Sequence, residues 1–144
     1  MIMNIQDCIN ELLIEGTQDD IGAYWVAATA ARHGANTPKD IKDISLQIIR
    51  HVLSDGLMAI GDIEGVGYDP SLPTRYVRVV FQPWNLPVHE AMERVDREWA
   101  PAIKSPPFTY PEPGAVCWLV NTEKGNRVAR RLIEAQDQRA CDDR

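Results

Sequence analysis

The chain has 144 residues, 44% hydrophobic and 25% charged, with a formal net charge of −6. That length and balance suit one globular domain with a core of its own, and they exclude both disorder and the small disulfide- or metal-stapled scaffolds. The acidity is uneven: residues 1–72 carry four basic and eleven acidic groups, whereas residues 73–144 carry eleven and ten.

The opening MIMNIQDCINELLIEG has no basic stretch and holds Asp7, Glu11 and Glu15, which fits neither a secretory signal nor a transit peptide. No apolar run approaches the roughly 18 residues a bilayer span needs. The expectation is a soluble, cytoplasmic protein without a membrane segment. Cys8, Cys117 and Cys141 are odd in number and lack CxxC spacing, so reduced thiols are expected, with no disulfide and no metal site.

Three N-terminal segments share one punctuation. Asn4 to Asp7, Thr17 to Asp20 and Thr37 to Asp40 each set a small polar cap three residues before a carboxylate, and Gly16, Gly34 and Gly56 close the segments as left-handed C′ residues. Pro38 suits the first helical position. The spacing predicts three helices with buried faces Ile5, Cys8, Ile9, Leu12, Leu13; Ile21, Trp25, Ala28, Thr29; and Ile41, Ile44, Ile48, Ile49, Val52, Leu53. The alanines at 27, 28, 30 and 31 permit close helix approach, placing the second helix at the centre of the bundle.

A strand is predicted over Leu57–Ile63, then a loop from Glu64 to Thr74 rich in glycine and proline, then a strand over Arg75–Gln82 that Pro83 stops. A helix over Pro87–Trp99 follows, with Val88, Met92, Val95 and Trp99 inward and ion pairs Glu90–Arg94 and Glu93–Arg97 outward. Pro101–Pro113 is an extended connector. A third strand, Ala115–Val120, leads to a helix capped by Thr122 over Glu123–Gln138, with Val128, Leu132 and Ile133 inward and Arg127, Arg130, Arg131 and Arg139 outward.

These elements give an α+β fold for residues 1–144 as a single domain: an N-terminal helical bundle on a small antiparallel sheet, winged-helix-like with an extended wing. The stretch LVNTEKGNRVARRL, an apolar strand followed by Thr122-Glu-Lys-Gly125 and a helix, resembles the ending of MarR-like winged-helix proteins. That resemblance implies DNA binding through the third helix. The long segment Glu64–Pro113 departs from that family, whose wing is a short hairpin. In size, acidity and lack of a catalytic motif the chain is also similar to bacterial immunity proteins of contact-dependent growth inhibition and polymorphic toxin systems, which implies a cognate toxin domain as partner.

His89-Glu90-Ala-Met-Glu93 starts like a zinc-protease helix, but Glu93 stands where the second histidine is required. No phosphate-binding glycine loop or nucleophile elbow occurs, so no catalytic residue, cofactor or metal is expected. In the third helix Lys39, Lys42 and Arg50 are matched by Asp40, Asp43 and Asp55, a poor endowment for phosphate. The basic stripe Arg127, Arg130 and Arg131 keeps a nucleic-acid reading open. Asp62, Glu64, Tyr68, Asp69, Tyr76 and Trp84 combine carboxylates that steer a cationic partner with rings that offer contact area at low entropic cost. They are the candidate protein-binding residues. The expected function is therefore binding and neutralising a basic, nuclease-type toxin domain, with a winged helix-turn-helix regulator as the alternative.

Overall fold

The computed structural model describes residues 4–104 and 108–142. Local capping chemistry opens the helices much as the sequence implies. Before α1 (Ile5–Glu15), the Asn4 side chain accepts the backbone N–H groups of Gln6 and Asp7. Before α3 (Pro38–Ser54), the Thr37 hydroxyl accepts that of Asp40 at 3.1 Å. Each cap satisfies a donor that the first helical turn leaves without an intrahelical partner.

The second helix departs from expectation. Thr17 caps nothing: its hydroxyl donates back to the Ile14 carbonyl at 2.7 Å, closing α1. Ile21 and Gly22 form a short strand, β1 (Ile21–Gly22), and α2 (Ala23–Arg32) begins only after it. The buried face of α2 is accordingly Ala23, Val26, Ala27, Thr29 and Ala30, while Trp25 is 38% exposed under the guanidinium of Arg32 and Ala28 is half-buried. Gly34 and Gly56 have the expected positive φ of 119° and 67°. Gly16 does not, at −64°; a Cβ there would run into the Asn121 side chain. Nor is α2 the centre of the bundle, since α3 packs on α1, α2, α4 and β2.

The sheet is antiparallel with order β1-β4-β2-β3, four strands where three were expected. Strand β2 (Met58–Tyr68) takes in Glu64–Tyr68, the first five residues of the predicted glycine-rich loop, and leaves Asp69–Thr74 as the turn; it pairs with β3 (Tyr76–Pro83) from Gly61↔Pro83 to Tyr68↔Tyr76. Strand β4 (Trp118–Asn121) lies between β1 and β2, with Ile21 and Ile60 flanking Leu119. Helix α4 (Val88–Trp99) packs on α3 and buries Ala91, Met92, Val95 and Trp99. The expected Glu90–Arg94 and Glu93–Arg97 pairs give way to Arg94 pairing with Asp62 and Glu98. A 3-10 turn at Ala100–Ala102 begins the proline-rich connector, of which 105–107 lie outside the described residues.

Helix α5 (Glu123–Asp142) is capped as expected, the Thr122 hydroxyl accepting the Gly125 N–H at 3.1 Å. The same hydroxyl donates to the Gly56 carbonyl at 2.6 Å, and Lys124 reaches the Asp55 carbonyl at 2.7 Å. Thr122-Glu-Lys-Gly125 thereby latches the end of α3 to the start of α5. One apolar core joins all five helices and the inner strands, with Ile48, Ile49, Val95 and Leu119 fully buried. Each such side chain contributes about 1.5–3 kcal/mol on transfer from water. The resulting arrangement is α+β: α2 and α3 as a helix pair, then a β-hairpin in the position of a wing, with α4 inserted before the returning strand. Among the described residues no helix is long and apolar enough to cross a membrane.

Candidate functional site

The hairpin β2–β3 is the feature that stands apart from the body. Strand β4 pairs with β2 only over Met58–Gly61, so from Asp62 to Tyr68 the hairpin is a two-stranded ribbon with both backbone edges open. Its turn, Asp69 to Arg75, is held by Asp69: the carboxylate accepts the Ser71 backbone N–H at 3.0 Å and its hydroxyl at 2.7 Å. Those two hydrogen bonds hold the Asp69 carboxyl below its ordinary value. Arg75, with φ of 66°, adds a contact from its guanidinium to the Pro70 carbonyl.

At the tip Tyr68 and Tyr76 face each other across the register, ring centroids 5.8 Å apart and near edge-to-face. Tyr68 is 68% exposed. The Tyr76 ring lies where a side chain at position 65 would stand, and Gly65 leaves that space open. Glu64 is exposed beside Val80, its register partner. Four of the six candidate residues, Glu64, Tyr68, Asp69 and Tyr76, thus belong to the free part of the ribbon.

Asp62 and Trp84 do not join them. They sit at the ribbon's root, clasped by α4: Arg94 lies 3.8 Å from the centre of the Trp84 ring and 3.6 Å from the Asp62 carboxylate. The residue that unites them, Arg94, carried no signal in the sequence beyond its place on the outer face of α4.

The acidic first half does not form one surface. Glu11 is bound by Arg32 and His33 at 2.5 and 2.7 Å, Asp43 by Lys39 at 2.7 Å, and Asp55 lies 3.6 Å from His51. Glu15, Asp19 and Asp20 line a recess with Tyr24, Trp25 and Trp118 beside β1, the opposite edge of the sheet from the ribbon. The carboxylates left for a partner are therefore scattered: Glu64 and Asp69 lie on the ribbon, Glu15, Asp19 and Asp20 at the far edge of the sheet, and Asp7 and Asp40 in the first turns of α1 and α3.

Helix α3, the position of a recognition helix, is partly covered. Lys42 on it is drawn to Asp96 of α4 at 2.6 Å, and Lys39 is held by Asp43. His89 is exposed, with Glu90 at 4.0 Å. Among the described residues no group of three or more His, Cys, Asp or Glu side chains could hold a metal ion. No family model, curated protein or solved structure matches the chain.

Proposed function

We propose that this chain is a non-enzymatic binding protein that engages a protein partner through the ribbon tip, as an immunity protein that neutralises a basic, nuclease-type toxin domain. One observation carries the reading: two tyrosines, one of them two-thirds exposed, project on a ribbon beside Glu64 and Asp69. Rigid aromatic area flanked by carboxylates suits a cationic protein surface, where the rings supply contact and the charges supply steering.

The test is co-expression with a basic toxin domain encoded beside this chain. The two co-purify, and Tyr68→Ala combined with Asp69→Lys weakens the complex about tenfold or more, and by more than Tyr68→Ala combined with Asp69→Ala, which breaks the same turn contacts without adding a positive charge. Failure to co-purify, or an unchanged affinity in the double variant, sinks the reading.

The order α2, α3, ribbon favours a second reading, a winged helix-turn-helix regulator of transcription. It requires α3 to meet a duplex, yet α4 packs on α3 and takes up Lys42. A duplex-bound form would lose affinity steeply between about 50 and 200 mM salt. Arg130→Glu with Arg131→Glu would abolish its gel shift.

A further inference from the structure

Among the described residues the outer edge of β3 has no strand beside it, since β3 is the last strand in the order β1-β4-β2-β3. Edge strands in soluble proteins are ordinarily protected by lysines, prolines, bulges or shortness. This one runs eight residues, and Tyr76–Gln82 contains no proline and a single charge, Arg78. Val77 and Val79 stand on it 68% and 58% exposed. We propose that the edge of β3 pairs with the same edge of a second copy of this chain, antiparallel about a two-fold axis at Val79. This goes beyond the partner reading, which rests on the tip.

The fit lies in the order of side chains. With the axis at Val79, Val79 meets its own copy, Val77 meets Phe81, Arg78 meets Val80 and Tyr76 meets Gln82. Valine and phenylalanine thus oppose one another on one face, and no like charges are opposed. Pro83, which has no N–H to donate, falls just outside the paired stretch. Neighbouring axes fit worse: one at Arg78 sets two guanidinium groups face to face, and one at Val80 brings Pro83 opposite Val77.

Charge completes the match. Within each ribbon Glu64 is opposite Val80. In the joined four-stranded sheet the row across therefore reads Val66, Arg78, then Val80 and Glu64 of the second copy. Two strand spacings, about 9.5 Å, separate the last charged residue from Arg78. An arginine and a glutamate extended towards each other span that gap, and symmetry makes the pair twice. The pairing also satisfies the open N–H and C=O groups along β3 with backbone partners of fixed direction.

Sedimentation velocity on the full chain between about 1 μM and 1 mM tests the idea. The wild type moves from monomer to twice that mass as concentration rises. Val79→Lys sets two ammonium groups together at the axis and stays monomeric; at about 1 μM, where both proteins are monomers, it keeps the far-UV spectrum and melting temperature of the wild type, because Val79 faces Gly65 and not the core. As an independent readout, Val79→Cys in a Cys141→Ser background forms a disulfide dimer on mild oxidation. Val77→Cys in that background does not, because its two copies lie about 13 Å apart along the paired strands, beyond disulfide reach. A wild type that is monomeric throughout overturns the proposal, as does a Val79→Lys dimer or equal cross-linking from positions 77 and 79.

Discussion

Arg94 and Trp84 form the hinge-pin of the ribbon: the guanidinium stacks 3.8 Å from the ring centre while Nη2 reaches the Asp62 carboxylate at 3.6 Å and Nε reaches Glu98 at 3.4 Å. One side chain on α4 thereby grips β2 and the residue that follows β3 where the ribbon leaves the body. Geometry at the ribbon root is set by this contact, because among the described residues no third strand steadies the hairpin beyond Gly61.

Removing that grip has a measurable cost. Arg94→Ala lowers stability by about 1–2 kcal/mol, the sum of a partly buried cation–π contact and two half-exposed ion pairs. Arg94→Lys recovers little of it, since a point charge cannot stack on the ring and bridge two carboxylates at once. Urea unfolding checks this through a lowered midpoint at unchanged slope. A midpoint equal to the wild type would mean the ribbon root is held by something else.

Two glycines separate two mechanisms. A Cβ at Gly125 would stand inside the van der Waals shell of the Leu57 carbonyl oxygen, so Gly125→Ala forces α5 off the sheet. The expected loss is about 3 kcal/mol, at the upper end of overpacking costs. Gly56 has open space around it but a φ of 67°, and Gly56→Ala costs about 1–2 kcal/mol from backbone conformation alone. Thermal melts of the two variants therefore rank in that order.

Thiol reactivity should divide cleanly. Burial pushes the Cys117 thiol up to about 12, with Glu98 and Asp62 adding to the effect, and burial followed by Glu11 and Asp7 raises Cys8. Cys141 alone is exposed among the three cysteines. Native protein treated with iodoacetamide at neutral pH takes up a single adduct, at Cys141, and denatured protein takes up three. A native adduct on Cys8 or Cys117 would contradict the packing of α1 or of the segment before β4.

Glu11 supplies the pH dependence. Burial raises its carboxyl, but hydrogen bonds from Arg32 and His33 outweigh that and hold it below the ordinary 4.5. A folded-state value below the unfolded one means the stabilisation is complete above about pH 4.5 and is lost as pH falls through the folded value. Glu11→Gln should therefore show a flatter fall in urea midpoint between roughly pH 5 and pH 3 than the wild type. Parallel curves for the two proteins would show that the Glu11 contacts contribute nothing to acid stability.

What the sequence alone determined is the set of features completed within a few residues of chain. Asn4, Thr37 with Pro38, and Thr122 close hydrogen bonds to backbone three residues away or nearer, so the starts of α1, α3 and α5 were legible, as were the inward faces of α1 and α4. Strands have no such local closure, because the groups they must satisfy belong to distant chain. Thr17 looked like a helix cap until Ile21 and Gly22 paired with Leu119 and Trp118, nearly a hundred residues on, and delayed α2. Glu64 to Tyr68 looked like a loop for its glycines, but pairing with β3 makes it strand, and Gly65 gives the Tyr76 ring its place. The candidate site divides along the same line. Tyr68 and Tyr76 were recognisable as contact residues by type, whereas the clasping of Asp62 and Trp84 by Arg94, and the separation of Glu15, Asp19 and Asp20 from the ribbon, depend on which edges of the sheet the chain occupies. That choice is made by burial of the whole core, which no window of sequence contains.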